Sequence, residues 1–130
     1  MNIKEICTGF QHLGLPTGDM DATLAFYESI GFDVTYSTVN EGCRVCFLKL
    51  GDMVVEAYES KDAVGKTGAI DHISLNVTDV DAVFAWAKEA GLPTDDTKVN
   101  FLPFFEHGVR FFTVIGPNAE KVEFNQILEE

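Results

Sequence analysis

Apolar and polar positions along the chain fall into two blocks with the same phase. Residues 70–91, I-D-H-I-S-L-N-V-T-D-V-D-A-V-F-A-W-A-K-E-A-G, open on a short strand-like run and pass a turn ending in Asp79. They continue with Val80, Val83, Phe84 and Ala87 at helical spacing until Gly91-Leu92-Pro93 ends the element. Sixty positions earlier the same register occurs without a gap. His12-Leu13-Gly14-Leu15 aligns with His72-Ile73-Ser74-Leu75, Asp19 with Asp79, Asp21-Ala22 with Asp81-Ala82, Ala25 with Ala85 and Gly31 with Gly91. Self-similarity of this extent marks a duplicated unit of strand, turn and helix.

The first copy is expected to open with a strand over 10–15, broken by Pro16-Thr17-Gly18. A helix capped at or just before Asp19 follows, burying Met20, Leu24, Tyr27 and Ile30 on one face. Alternation then predicts strands over 32–39, 44–50 and 53–58, with Asn40-Glu41-Gly42 and Gly51-Asp52 as turns. Residues 60–68, polar with two Gly and two Lys, read as an exposed connector. In the second copy strands are expected over 94–99, 109–115 and 121–127, the last after a turn at Gly116-Pro117-Asn118. Residues 100–108, N-F-L-P-F-F-E-H-G, stand where the first copy has only a tight turn. They read equally as an aromatic pocket lip or as a hydrophobic loop packed on the sheet. The fold class is α+β: two tandem βαβββ modules, about 8–59 and about 69–127, in one domain spanning 1–130.

The duplication extends to chemistry. Each module carries a His in its first strand, His12 or His72, and a Glu among apolar residues of its last, Glu56 in M-V-V-E-A or Glu123 in E-K-V-E-F. A strand hides alternate side chains, so such a carboxylate either turns to solvent or is held inside by a partner. Two His and two Glu at matching places could supply that partner jointly, as a metal site.

Composition narrows the classes. At 130 residues and 46% hydrophobic content the chain can bury a core of its own. Eleven Phe against one Trp place much aromatic area in the interior or around a pocket. A formal charge of −12 repels a phosphate backbone, so nucleic acid is not an expected partner. No apolar run reaches signal-peptide or membrane-span length, which leads to the expectation of a cytoplasmic protein without a membrane partner. Cys7, Cys43 and Cys46 are expected as buried, inert thiols rather than disulfides. The C-x-x-C spacing of the latter two falls in a strand, where residues three apart face opposite ways.

With H-L-G-L-P near the start, D-H-I-S-L-N-V opening the second half, V-V-E in the fourth strand and G-P-N-A-E-K-V-E-F-N at the end, the chain resembles the vicinal oxygen chelate superfamily over essentially its whole length. This is the glyoxalase/bleomycin resistance/dioxygenase fold, with sheets curved around a metal cleft. Within it, the chain is most similar to the bacterial glyoxalase I (lactoylglutathione lyase) branch. The resemblance implies that His12, Glu56, His72 and Glu123 are the metal ligands, from the first, fourth, fifth and eighth strands. Ring-cleaving dioxygenases of this kind use two His and one Glu, acyl-CoA epimerases tend to carry Gln at the place of Glu56, and drug-sequestering members keep no ligands.

Two imidazoles and two carboxylates leave two positions of an octahedral divalent ion for substrate oxygens. Such a set suits Ni²⁺ or Co²⁺, with Zn²⁺ as a further candidate. The reaction implied is conversion of the hemithioacetal of methylglyoxal and a thiol into an S-2-hydroxyacyl thioester through an enediolate. Glu123 is the expected base, and Glu56 returns the proton or serves as a second base. Glutathione-using relatives carry an Arg four residues after the first His and an Asn four after the fourth-strand Glu. Here Pro16 and Ser60 stand at those places, which leaves the thiol open. Phe104, Phe105 and Arg110 are the candidate substrate contacts. The expected partners are an α-oxo aldehyde–thiol adduct and a second copy of the chain in a homodimer. A related isomerase, an epimerase or a fosfomycin-like epoxide-opening enzyme is one alternative, and a non-catalytic small-molecule binder is the other.

Overall fold

A computed structural model describes residues 1–117 and 120–130. The chain runs α1 (Ile3–Ile6), β1 (Cys7–Thr17), α2 (Met20–Ser29), β2 (Asp33–Asn40), β3 (Cys43–Leu50), β4 (Met53–Glu59), β5 (His72–Val77), α3 (Val80–Glu89), β6 (Asn100–Leu102), β7 (Val109–Ile115) and β8 (Lys121–Ile127). The class is α+β, with parallel and antiparallel strand pairs mixed. The residues divide into two compact units. The first is His12–Asp71, and the second comprises Met1–Gln11 with His72–Glu130.

In the first unit β2, β3, β4 and the His12–Thr17 part of β1 lie side by side, with β1 and β4 parallel. Asp19 caps α2 by accepting the Ala22 amide at 3.0 Å, and Gly31, at φ 106°, ends it in the left-handed region that L-residues avoid. The helix lays Met20, Leu24 and Tyr27 on Leu15, Cys46, Leu48, Val55 and Ala57, with Phe32 closing the cluster. Fully burying side chains such as Leu48 contributes about 1.5–3 kcal/mol each. Ile30, expected on that face, is 52% exposed, because it is the C-cap, where the helix has stopped turning. Pro16 and Thr17 do not break β1 but continue it, since the parallel ladder holds them opposite Tyr58 and Glu59. A proline at this position costs the ladder only one donor.

The second unit repeats the plan with β5, β8, β7 and β6, β5 and β8 being parallel. Asp79 caps α3 through the Ala82 amide at 3.1 Å, as its twin caps α2, and Gly91 ends it at φ 72°. Val80, Val83 and Ala87 are buried against Val77, Phe112, Val114 and Phe124, and Phe84 packs edge-on against Phe112. Residues Ile3, Ile6 and Cys7 pack on this same core, and the Ile6 carbonyl accepts the Thr78 amide. The turn expected at Gly116-Pro117-Asn118 runs into positions 118 and 119, outside the described residues.

The strand expected over 94–99 does not form. Asp96 accepts the Thr113 backbone amide at 2.7 Å, Thr94 Oγ1 donates to the Thr113 carbonyl, and Asn100 Nδ2 donates to Asp96. Side chains of T-D-D-T thus take the ladder positions on β7 that a backbone strand would have used. Pairing resumes only at β6, three residues long. Cys46 is buried, as expected, but Cys43 is exposed at the start of β3, on the opposite side of the pleat. Residues 60–68 are mostly exposed and without regular structure. No helix among the described residues is long and apolar enough to cross a membrane.

Candidate functional site

Each unit has a helix-bearing face and another, and the alternation of the strands sorts the candidate residues between them. In the first unit Cys46, Leu48, Val55 and Ala57 belong to the helix core, which turns Val45, Phe47 and Glu56 the other way. Register sets Phe47, Glu56 and Gly14 side by side across β3, β4 and β1, with His12 two residues before Gly14. His12 Nε2 lies 3.3 Å from Glu56 Oε1, and both side chains are largely buried. The Phe47 ring meets the imidazole edge-on at a centroid distance of 5.5 Å.

In the second unit Phe112, Val114, Val122 and Phe124 face the helix, which turns Thr113, Glu123 and Asn125 away from it. Thr113, Glu123 and Ser74 are neighbours across β7, β8 and β5, with His72 two residues before Ser74. The register of the first unit is therefore reproduced: in both, Glu stands opposite the second residue after His on a parallel strand. His72 Nε2 and Glu123 Oε2 are 3.9 Å apart. Glu123 Oε1 accepts from Ser74 Oγ at 2.9 Å and from Asn125 Nδ2 at 3.0 Å. Asn125 Oδ1 is buried without a hydrogen-bond partner among the described residues, a cost of about 1–3 kcal/mol for such a group. Gln11 Nε2 completes the polar patch, donating to Asn76 Oδ1 and to the Asn125 carbonyl.

Within each unit the donor pair has the chemistry and near-spacing of two neighbouring ligands of a divalent ion. Nitrogen and oxygen ligands bound at about 2.0–2.2 Å and at right angles stand about 3 Å apart, near the separation seen in the first pair and within a small side-chain movement of it in the second. Imidazole nitrogen with carboxylate oxygen is also the donor chemistry that first-row divalent metals take.

The remaining candidates are Arg110, Phe104 and Phe105. Arg110 is on the helix side of β7, where its guanidinium grips Asp81 in the first turn of α3 through two contacts of 2.6 and 2.9 Å. That contact holds the Asp81 carboxyl below its usual range and pushes the guanidinium up. The first unit has the same device: Arg44 of β3 donates to Asp21 of α2 at 2.9 Å, raising its own pKa. Asp21 and Asp81 are repeat twins, a correspondence visible in the sequence. The arginines that answer them were not paired by it. Phe104 is buried beyond β6, its carbonyl accepting the Gly108 amide, whereas Phe105 is half-buried at φ 60°, strained for a residue of its size. Ser74, Asn125 and Gln11 went unnoticed in the sequence, because a Ser, an Asn and a Gln carry no spacing signal of their own. In the first unit a shallow groove lined by Leu15, Thr17, Ala22 and Phe26 opens on the helix side, away from Glu56.

The family model described as "Glyoxalase/Bleomycin resistance protein/Dioxygenase superfamily" matches residues 9–102, a stretch that holds His12, Glu56 and His72 but not Glu123. The uncharacterized protein YwbC of Bacillus subtilis (strain 168) is 27% identical over 124 residues, 88% of this chain and 94% of that protein. Methylmalonyl-CoA epimerase from Mycobacterium tuberculosis has a similar structure, with a TM-score of 0.79 at 17% identity over 95% of this chain and 90% of that one. The Mn(II)-bound glyoxalase from Novosphingobium aromaticivorans gives 0.65 at 21% identity, covering 93% of this chain and 39% of that one.

Proposed function

The chain belongs to the glyoxalase/bleomycin resistance protein/dioxygenase superfamily, and from that premise we propose that it is a metal-dependent, glyoxalase I-like lyase. The substrate class is the hemithioacetal of an α-oxo aldehyde and a thiol, and the product is an S-2-hydroxyacyl thioester. The observation that supports this most is the repeated register: two His–Glu pairs, each largely buried, each on parallel strands, each at ligand spacing. Gathering buried carboxylates beside imidazoles in this way costs several kcal/mol unless positive charge accompanies them, and an ion shared by both pairs would supply it.

His12, Glu56, His72 and Glu123 would hold the ion, Ni²⁺ or Co²⁺ before Zn²⁺. When bound, it polarises two adjacent substrate oxygens and makes the neighbouring C–H acidic. The chain's own residues supply the rest. Glu123 takes the proton from the carbon that bears sulfur, and Glu56 delivers one to the neighbouring carbon. The net change is an isomerisation that consumes no oxidant. Phe47, edge-on to the His12 imidazole, keeps water from the reacting carbons. An anionic tail reaching for Arg110 would have to displace Asp81.

The thiol need not be glutathione. Pro16 lies in β1 opposite Tyr58, and Ser60 is committed to a turn, its amide donating to the Thr17 carbonyl and its hydroxyl accepting the Asp62 amide. Neither is a substitute for Arg or Asn on a glutathione carboxylate or amide. This favours, as a second reading, proton transfer next to a carbonyl in a different small molecule, as in an epimerase. Elemental analysis of the purified protein, followed by a methylglyoxal assay with several thiols and a panel of 2-oxo and acyl substrates under added Co²⁺ or Ni²⁺, tests both. Metal-dependent thioester formation supports the first reading. Metal-dependent turnover of another α-acidic substrate alone selects the second, and stoichiometric small-molecule binding without metal or turnover removes both.

A further inference from the structure

We infer that Ser74 and Asn125 are positioning residues for the proposed metal centre, which clamp Glu123 Oε1 so that Oε2 is the oxygen presented on the side of His72. The inference rests on the metal reading above. A carboxylate accepts only, so the Asn125 atom 3.0 Å from Glu123 Oε1 has to be the amide NH₂, and the amide orientation follows. Its own Oδ1 is left buried and unpaired, so the residue is spent on that single donation. Ser74, fully buried, has no water to bond and aims its hydroxyl at the same oxygen. Two donors on one carboxylate oxygen, from the strand on its flank and from its own strand, fix the side-chain rotamer. The first repeat has Gly14 at the twin of Ser74, and Gly brings no hydroxyl to Glu56. The hydroxyl that Ser74 brings to Glu123 is thus an addition to the duplicated pair.

Groups that orient a ligand typically alter metal affinity about 10- to 100-fold when removed. The test titrates Co²⁺ into metal-free protein, measuring the dissociation constant by chelator competition and recording the visible absorption of the bound ion. Ser74→Ala and Asn125→Ala should each weaken Co²⁺ binding about tenfold or more and alter the absorption bands, while Ser74→Thr, which keeps the hydroxyl, should stay near wild type in both. A merely structural role would lower the melting temperature of the metal-free variants without changing the Co²⁺ affinity of the folded protein. Folded Ser74→Ala with a wild-type dissociation constant and spectrum would overturn the clamp, and this variant alone decides if Asn125→Ala does not fold. Wild-type protein that binds no Co²⁺ would instead remove the metal reading itself.

Discussion

Set side by side, the two repeats hold the same His–Glu pair in surroundings of opposite character. Glu56 has Phe47 on one flank and Gly14 on the other, and the next row is Val45, Tyr58 and Pro16. Glu123 has Thr113 and Ser74 on its flanks, and the next row is Phe111, Asn125 and Asn76. The ladder geometry that places the pair has been kept, while the side chains around it have diverged towards aromatic cover in the first repeat and hydrogen-bond donors in the second. A donor-rich setting favours a fixed carboxylate, since charge-assisted hydrogen bonds are short and directional. An aromatic setting lowers the local dielectric and shields reacting carbons from water. Under the metal-dependent function proposed above, Glu123 would be the anchored ligand and Phe47 part of an apolar wall beside Glu56.

The largest effect that can break this comparison is loss of a ligand. Glu123→Gln keeps an oxygen of similar shape and removes charge and basicity, so turnover on the hemithioacetal should fall about 10²- to 10⁴-fold, while Glu56→Gln should be milder. Steady-state kinetics on variants of known metal content reads this out, and equal losses would erase the functional asymmetry. Next come the cores behind the two faces. Phe112, fully buried and stacked on Phe124 at 5.2 Å, and Leu48, fully buried under α2, should cost about 3–5 and 2–5 kcal/mol respectively when changed to Ala, measured by denaturant unfolding. Retained metal affinity in either variant would show that its core does not position its ligands.

Chelation should lower the melting temperature, because an ion that binds only folded protein stabilises it. An unchanged melting curve in protein shown to be metal-free would count against all four ligands. The smallest effect belongs to the Arg110–Asp81 bridge. Asp81 is held below its ordinary pKa, so the bridge's contribution is present above about pH 4 and is lost as pH falls through the lower folded value. With both side chains substantially exposed, Asp81→Asn should cost no more than about 1 kcal/mol at neutral pH. The gap from wild type should close in unfolding measured towards about pH 2. A gap that persists there would mean that Asp81 acts through something other than its charge.

Much of this was legible in the chain because duplication writes each signal twice. The Asp19 and Asp79 caps, the Gly31 and Gly91 stops and the His–Glu pairs are recognisable as twins in the sequence itself. Legibility failed where side chains replaced backbone. Thr94 and Asp96 look like strand residues by position but satisfy β7 through an oxygen and a carboxylate. The helix at Ile3–Ile6, four residues long, spans barely one turn, too little for a helical period to repeat. The clamp on Glu123 escaped for a related reason: Ser74 and Asn125 become meaningful only when register sets them beside the same carboxylate.

Metal stoichiometry tests the central claim, that the two His–Glu pairs share one ion, most directly. Equilibrium titration of metal-free protein with Co²⁺ should give one ion per chain, and His12→Ala and His72→Ala, although they lie in different repeats, should each abolish that single site. Two ions per chain, or an undiminished site in either His variant, would mean that the pairs act separately and would contradict the account.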